Sequence, residues 1–447
     1  MSIGRDLGHE GSATRRWVMR STLTFTVVIF TLFSACATAG DWDNPEWDIR
    51  VVDSFGGLST NTGLSVAVDS QDRPHVAYYG LKGADLRYAV RTGTTWPSEI
   101  VDDYQVVGPD CSIALDGDDL PHICYYDKTN EELEYARRNG TGWDIETVDC
   151  LGIVGVGTSI AIGPGGDPYL AYVGARTLRC AHRTEDGWNV TVVDEVEEHI
   201  YTPSVTVDHN GDPHILYFGA STVKHAFRSG GNWTLERVDD LRFATVAMRT
   251  TIQVDPDGDL VACYANDVAS SVMIARRSGG GWTTEKVSEG HYIGDLDMEL
   301  DTNGQPHVAL IDLAFNNDKE LVNTDVWYLE REGNSWTRGV VVSSSGHHGV
   351  LLDLHLDGEG MPSLAVVDMD PVGMKADLTH FTGWTGTFIE AYTGDGSNGD
   401  GGDGGNGGGG SSEDDPAASF SMMAPLAVAI TALVLVVVFL VLRKDQA

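Results

Sequence analysis

DSQDRPHVAYY at 69–79 returns as DGDDLPHICYY at 116–126, GPGGDPYLAYV at 163–173 and DHNGDPHILYF at 208–218, then as DPDGDLVACYA at 255–265, DTNGQPHVALI at 301–311 and DGEGMPSLAVV at 357–367. Each copy is a polar turn rich in Asp, Gly and Pro that runs into an apolar, β-branched and aromatic stretch, the pattern of a tight turn entering a strand. Recurrence at a period of about 47 residues makes the chain a repeat protein.

Each copy is preceded by a short alternating segment, such as SVAVD ending at Asp69, SIALD ending at Asp116 and SVTVD ending at Asp208. A third segment follows, LRYAVR at 86–91 or LEYARR at 133–138, and then a fourth that opens with tryptophan and usually continues as xxExVD. Four short strands per unit of this length predict an all-β fold, a seven-bladed β-propeller over residues 40–393. One such sheet cannot bury both of its faces, whereas seven arranged radially bury each against its neighbours. The Tyr of the second strand and the Trp of the fourth are therefore expected to pack between blades. The tryptophan segments begin at Trp47, Trp96, Trp143, Trp188, Trp233, Trp282, Trp336 and Trp384, one more than the other segments. Either the segment from Trp384 to Glu390 completes the last blade and the one from Trp47 to Asp53 is spare, or the first segment pairs with the last blade and closes the ring.

Outside the repeats, Arg15, Arg16 and Arg20 precede a short apolar run and then Ala35, Ala37 and Ala39, which describes a cleavable export signal over residues 1–39. Residues 420–442 form an apolar stretch long enough to cross a bilayer as a helix. Arg443 and Lys444 follow at once, so the tail 443–447 is expected in the cytoplasm and the propeller outside. Residues 394–419, dominated by Gly, Asp, Asn and Ser, read as a flexible linker whose reach is on the order of 25 Å. The chain is thus expected at the cell membrane, single-pass, with the membrane as one partner.

The formal net charge is -37, from 66 acidic against 29 basic residues, which disfavours nucleic acid as a partner because phosphates need a basic surface. Of 6 cysteines, Cys36 falls in the signal segment, and no CxxC pair suggests a thiolate zinc site. Cys124 and Cys263 occupy an apolar repeat position and read as core. Cys111, Cys150 and Cys180 lie near one another in the repeat pattern and could supply one disulfide.

The turns RTGTTW at 91–96, RSGGNW at 228–233 and RSGGGW at 277–282 sit between the third and fourth strands just ahead of a Trp. In this the repeat resembles the Asp-box and sialidase-like group of propellers and related lectins, although the Asp of that box is missing. The resemblance spans the repeat region and implies the fold; it does not by itself imply an activity.

A radial four-stranded blade puts its first-to-second and third-to-fourth connections on one face, and its second-to-third and fourth-to-first connections on the other. Here the first set is regular and the second differs in every unit, and divergence on a rigid scaffold is where binding resides. The variable loops carry His199, Tyr201, Arg242, Arg249, His291, Tyr292, Asp295, His347 and His348, and the long connection from Asp312 to Asp325 is expected to project as a lid or contact loop. Along the first strands, Ala67, Ala114, Ala161 and Thr206 give way to Gln253, Glu299 and His355, and two residues earlier a run of Ser and Thr gives way to Asp297 and Asp353. Strand alternation puts both positions near the propeller axis. Carboxylates and imidazoles therefore converge on one sector, able to bind a cation or hold a sugar.

On the regular face, Asp255, Asp257 and Asp259 are spaced like the start of a calcium loop, but the bidentate Glu such a loop needs is absent, which leaves calcium as the sole cofactor to consider. His75, His122, His214 and His307 recur at one second-strand position and read as hydrogen-bonded structural histidines. Asn139, Asn189 and Asn232 are sequons, candidates for glycosylation.

No complete catalytic constellation is present, which places binding ahead of catalysis. The reading these features favour is a membrane-anchored surface module that recognises an extracellular glycan or protein through the variable face. The alternatives are a surface glycoside-processing, sialidase-like enzyme and a structural envelope protein.

Overall fold

A computed structural model describes residues 47–56, 63–152, 154–195, 200–219, 221–241, 249–266, 270–289, 292–316, 321–333, 335–344, 348–370, 375–382 and 390–392. The expected signal segment, linker, membrane helix and tail lie outside the described residues, and among those described no helix is long and apolar enough to cross a membrane.

The repeats fold as seven antiparallel sheets, each ordered inner, second, third and outer strand. Blade 1 comprises Leu64–Val68, Pro74–Gly80, Asp85–Val90 and Ser98–Asp102. Blade 2 runs from Val107–Leu115 to Trp143–Asp149, blade 3 from Val154–Ile162 to Gly187–Glu195, blade 4 from Ile200–Val207 to Asn232–Asp240 and blade 5 from Thr250–Val254 to Gly281–Glu289. Blade 6 contains Ile293–Leu300, Pro306–Phe315, Leu321–Glu332 and Ser335–Ser344; blade 7 contains His348–Leu356, Pro362–Asp370 and Lys375–Thr382.

Local chemistry explains the hairpins. In the turn between inner and second strands, the first Asp accepts the backbone N–H groups two and four residues on. Asp69 does so from Gln71 and Arg73, Asp116 from Asp118 and Leu120, Asp208 from Asn210 and Asp212, Asp301 from Asn303 and Gln305, and Asp357 from Glu359 and Met361. The fourth turn residue is left-handed, with φ of 84° at Gly211 and 87° at Gly258, and the copies without Gly there use Asp72 and Asp119, since Asp tolerates that region better than most residues.

The core lies between blades. One apolar cluster joins blades 1 and 2 through Leu86, Tyr88, Ile113, Ile123 and Tyr125, and another joins blades 7 and 1 through Leu378, Val367, Val76 and Tyr78. The inter-blade role expected of the second-strand tyrosines is observed, with a polar addition. Tyr78, Tyr125, Tyr172, Tyr217 and Tyr264 each donate their hydroxyl to an Asp on the outer strand of the preceding blade, namely Asp53, Asp102, Asp149, Asp194 and Asp239, at 2.7–2.9 Å. At the two remaining interfaces the pair is lost together: Leu310 faces the blade carrying Ser288, and Val366 the blade carrying Val342. The Trp indoles do likewise. Trp143 donates to Glu99, Trp188 to Glu146, Trp282 to Glu236 and Trp336 to Glu285, all across an interface.

The outer strands explain the xxExVD pattern. In every blade the ladder between third and outer strands slips at one residue, a buried valine: Val52, Val101, Val148, Val193, Val238, Val287 or Val341. This bulge buries the Val and turns the next residue toward the neighbouring blade.

The bulge also identifies the closing strand. Asp48–Gly56 pairs with Lys375–Thr382 and serves as the outer strand of blade 7, so the first tryptophan segment closes the ring. Trp47 packs edge-on against Tyr328 and Phe381, joining blades 6 and 7. Glu390–Tyr392 adds a fifth strand to blade 6, pairing with Trp336–Arg338; Trp384 lies outside the described residues.

Two expectations are corrected. The connection from Asp312 to Asp325 is not a free loop: its hairpin continues in register, Asp312 opposite Asp325, Leu313 opposite Thr324 and Ala314 opposite Asn323. The five described cysteines are free; Cys111, Cys124, Cys180 and Cys263 are buried and Cys150 is exposed, so no disulfide joins Cys111, Cys150 and Cys180. Cys111 sits on an inner strand while Cys180 sits on a third strand of the next blade, because nearness in a repeat pattern is not nearness in the ring.

Candidate functional site: the propeller channel

The seven inner strands surround a cavity of about 620 Å³, lined by residues of every blade. Each inner strand runs from the variable face inward, so residues two apart form successive tiers down the channel.

The tier nearest the variable face contains Gly63, Asp110, Gly157, Arg249, Asp295 and Leu351. Arg249, entering from blade 5, reaches across blade 6 to blade 7: it donates to the Leu352 carbonyl and, at 2.5 Å, to Asp353 Oδ1, and lies 3.8 Å from Asp295 Oδ2. Burial works against its charge, but Asp353, Asp297 and Asp295 outweigh that and raise its pKa.

The middle tier is a ring of latches. Ser65 accepts the Ile113 N–H, Ser112 that of Ile160, Ser159 that of Val205 and Ser204 that of Ile252, so each hydroxyl ties its blade to the next at 3.1–3.3 Å. Asp297 continues the series by accepting Leu354 N–H at 2.9 Å, and Asp353 completes it by accepting Val66 N–H at 2.5 Å, blade 7 to blade 1. The remaining Asp297 oxygen accepts Met298 N–H and the Thr251 hydroxyl. Asp295 accepts Leu296 and Leu352 N–H in the same manner.

The deepest tier sets Ala67, Ala114, Ala161 and Thr206 on one wall against Gln253, Glu299 and His355 on the other. All but Ala67 and Ala114 line the cavity directly. Gln253 donates to Glu299 Oε2 at 2.5 Å and accepts Leu300 N–H at 2.9 Å, and His355 Nδ1 lies 3.9 Å from Glu299 Oε2.

Burial dominates the electrostatics. It pushes Glu299 up to about 8 despite the Gln253 bond, and Asp295 up to about 6 despite Arg249. It raises Asp353 well above the carboxylate range against the pull of Arg249, and lowers His355 to about 4. Near neutral pH the deepest tier therefore presents a protonated Glu299 beside a neutral imidazole. Asp110, absent from the sequence reading, joins the first tier with its carboxyl pushed up to about 6 by burial. Its signal was available, since it occupies the repeat position of Arg249 and Asp295.

The channel thus assembles Arg249, Asp295, Asp297, Glu299, Asp353 and His355. Tyr292 stands apart, 41% exposed, its ring edge-on to Phe315 at 5.6 Å on the extended hairpin of blade 6. Its backbone is tied there: Leu313 N–H donates to Tyr292 O and Tyr292 N–H to the Asp312 carboxylate. His199, Arg242, His291 and His347 lie outside the described residues, as do the side chains of Tyr201 and His348, whose backbones belong to inner strands.

On the opposite face, Asp255 Oδ1 accepts the N–H of Asp257 and of Asp259, as its sibling turns do, so hairpin geometry accounts for the spacing that suggests calcium. Among the described residues no three His, Cys, Asp or Glu groups are placed to share a metal ion. His75 bonds Tyr88 and Asp69, His122 bonds Tyr135 and Asp116, and His307 bonds Tyr328, all structural contacts. Asn139, Asn189 and Asn232 are exposed on blades 2, 3 and 4, at or beside third-to-outer turns.

No protein-family description matches this chain, and no curated protein is similar to it in sequence. Among solved structures it is similar to a PL25 polysaccharide lyase, an ulvan lyase bound to -[GlcA(1-4)Rha3S]-, with a TM-score of 0.51 at 10% identity over 74% of this chain and 95% of that one. An Aleuria aurantia lectin in complex with Fucalpha1-6GlcNAc matches 64% of this chain and 97% of its own at 12% identity and TM-score 0.44. The NanB sialidase of Streptococcus pneumoniae matches 75% and 70% at 8% identity and TM-score 0.43. At such identities the likeness is one of fold.

Proposed function

We propose that this protein is a cell-surface binding module, held by the apolar segment 420–442, that recognises a glycan at its variable face and channel. One observation carries the reading: the repeated polar residues are engaged in turns and inter-blade bonds, while blades 5 to 7 also place Glu299, His355 and the exposed Tyr292 where acceptor atoms and a ring face remain open, beside Arg249 and Gln253, which bond across the blades. At the corresponding deep-tier positions, blades 1 to 3 manage with alanine. A concave polar site with an exposed tyrosine ring on the same face is suited to sugars, whose hydroxyls need hydrogen bonds and whose C–H faces stack on rings.

The chain ends support the same reading. The closing strand Asp48–Gly56 starts at the regular face, and Glu390–Tyr392 runs antiparallel to Ser335–Ser344 back toward that face. That is the side opposite the variable loops, which supports a reading in which a linker at 394–419 leaves those loops facing away from the membrane.

The test is a glycan array probed with the full chain in detergent micelles, with and without calcium. Binding above background that weakens at least tenfold in Tyr292→Ala is the expected result. Silence across the array, with capture of a protein ligand instead, would assign the variable face to protein recognition.

A further inference from the structure

We infer that the deep tier of the channel seats the protonated amine of an amino sugar between Glu299 and His355, and that the channel excludes anionic sugars. This deepens the glycan-binding reading above and rests on it.

Among the described residues lining the cavity, the carboxyl groups are Asp110, Asp295, Asp297, Glu299 and Asp353, and the guanidinium is Arg249. Arg249 is held by Asp353, the Leu352 carbonyl and nearby Asp295, so its charge is already matched before a ligand carboxylate arrives. A uronate or sialate entering the channel would give up water to meet an excess of carboxyls, an unfavourable exchange in a partly desolvated site.

The acceptors left open point the other way. Asp297 and Asp353 have both oxygens engaged in latches and in the contacts to Thr251, Met298 and Arg249. Glu299 differs: only its Oε2 is bonded, by Gln253, and no described residue hydrogen-bonds Oε1. His355 makes no hydrogen bond to a described residue and stands 3.9 Å from Glu299, so its lone-pair nitrogen is a second open acceptor. Both line the cavity, opposite Ala161 and Thr206, where small side chains leave room for a sugar ring. Burial keeps a proton on Glu299, which marks a carboxyl without a cationic partner; an arriving ammonium is that partner and ionises it. The net charge of -37 draws cations toward the mouth.

The experiment is calorimetry on the full chain in detergent micelles near pH 6.5, in two buffers of different ionisation heat. The probes are glucosamine hexamer, N-acetylglucosamine hexamer and galacturonate hexamer. The expected result is that glucosamine hexamer binds at least tenfold more tightly than its acetylated form, releasing about one proton per site as Glu299 ionises, while the uronate does not bind. Glu299→Gln, isosteric and checked by its melting temperature, should lose both the preference and the proton release; His355→Asn should lose the preference. Equal binding of the glucosamine and N-acetylglucosamine hexamers, a preference for the uronate, or proton release unchanged in Glu299→Gln would each overturn the amine seat while leaving glycan recognition standing. Failure of all three probes together with a silent array would overturn both.

Discussion

At the scale of the residue, the recurring device is a polar group that ties one blade to the next. The Tyr–Asp pair occurs at five interfaces and is replaced at the other two by Ser288 with Leu310 and Val342 with Val366, so donor and acceptor are present or absent together. The reason is that a buried hydroxyl or carboxylate is costly without its partner. Tyr172→Phe should lower stability by about 1–3 kcal/mol, toward the smaller figure because Asp149 keeps Arg179 at 2.7 Å, and thermal denaturation reads the shift. A second residue-scale expectation concerns His380, fully buried on blade 7, bonded to the Ser363 hydroxyl at 2.7 Å and held by burial at about 3. Its folded value lies below the unfolded one, so the unfolded chain takes the proton first. Stability is intact above the unfolded value and declines as pH falls toward the folded one. Relative to His380→Asn, the wild type should lose up to ~1.4 kcal/mol per pH unit between about pH 6.5 and 3, measured by denaturant titration at several pH values; a constant difference between the two proteins would sink the assignment.

At the scale of the element, the two terminal strands have unequal tasks. Asp48–Gly56 completes blade 7 with the same bulge that every outer strand carries, and Trp47 fills the space between Tyr328 and Phe381. Glu390–Tyr392 only covers the edge of a blade that already has four strands. Trp47→Ala should therefore cost about 3–5 kcal/mol, whereas substitutions that unpair Glu390–Tyr392 should move the melting temperature little. Equal losses from the two would mean that the ring depends no more on its N-terminal strand than on the added edge strand of blade 6. The hairpin of blade 6 makes the same point about elements: ten residues in Pro306–Phe315 against seven in Pro74–Gly80 lift Phe315 to Tyr292 and build an aromatic rim on one blade.

At the scale of the whole molecule, a ring converts repeat equivalence into a directional object. Inner strands that are interchangeable in packing differ in charge, and closing them around one axis brings Arg249 of blade 5 against Asp353 of blade 7, 104 positions apart in the chain. The same closure gives Asp353 a structural duty, since it accepts Val66 N–H and joins the last blade to the first. The carboxylates that first suggest a ligand site are thus shared between latch and channel. Glu299 and His355, one tier deeper, keep acceptor atoms open.

The sequence by itself determined the blade number, the strand order within a blade, the two unlike faces and the concentration of polar residues in blades 5 to 7. All of these follow from local periodicity: turn chemistry repeats at Asp69 and its siblings, and alternation says which residues share a side of a strand. It also showed that Asp297 and Asp353 depart from a serine position, but not that they inherit its bond to the next blade. Partners 57 or 287 residues away, Leu354 and Val66, come into reach only once the ring is closed. For the same reason the spare tryptophan segment found its place only in the tertiary structure. Pairing between Asp48–Gly56 and Lys375–Thr382 depends on the curvature summed over seven sheets, and no local pattern encodes that sum.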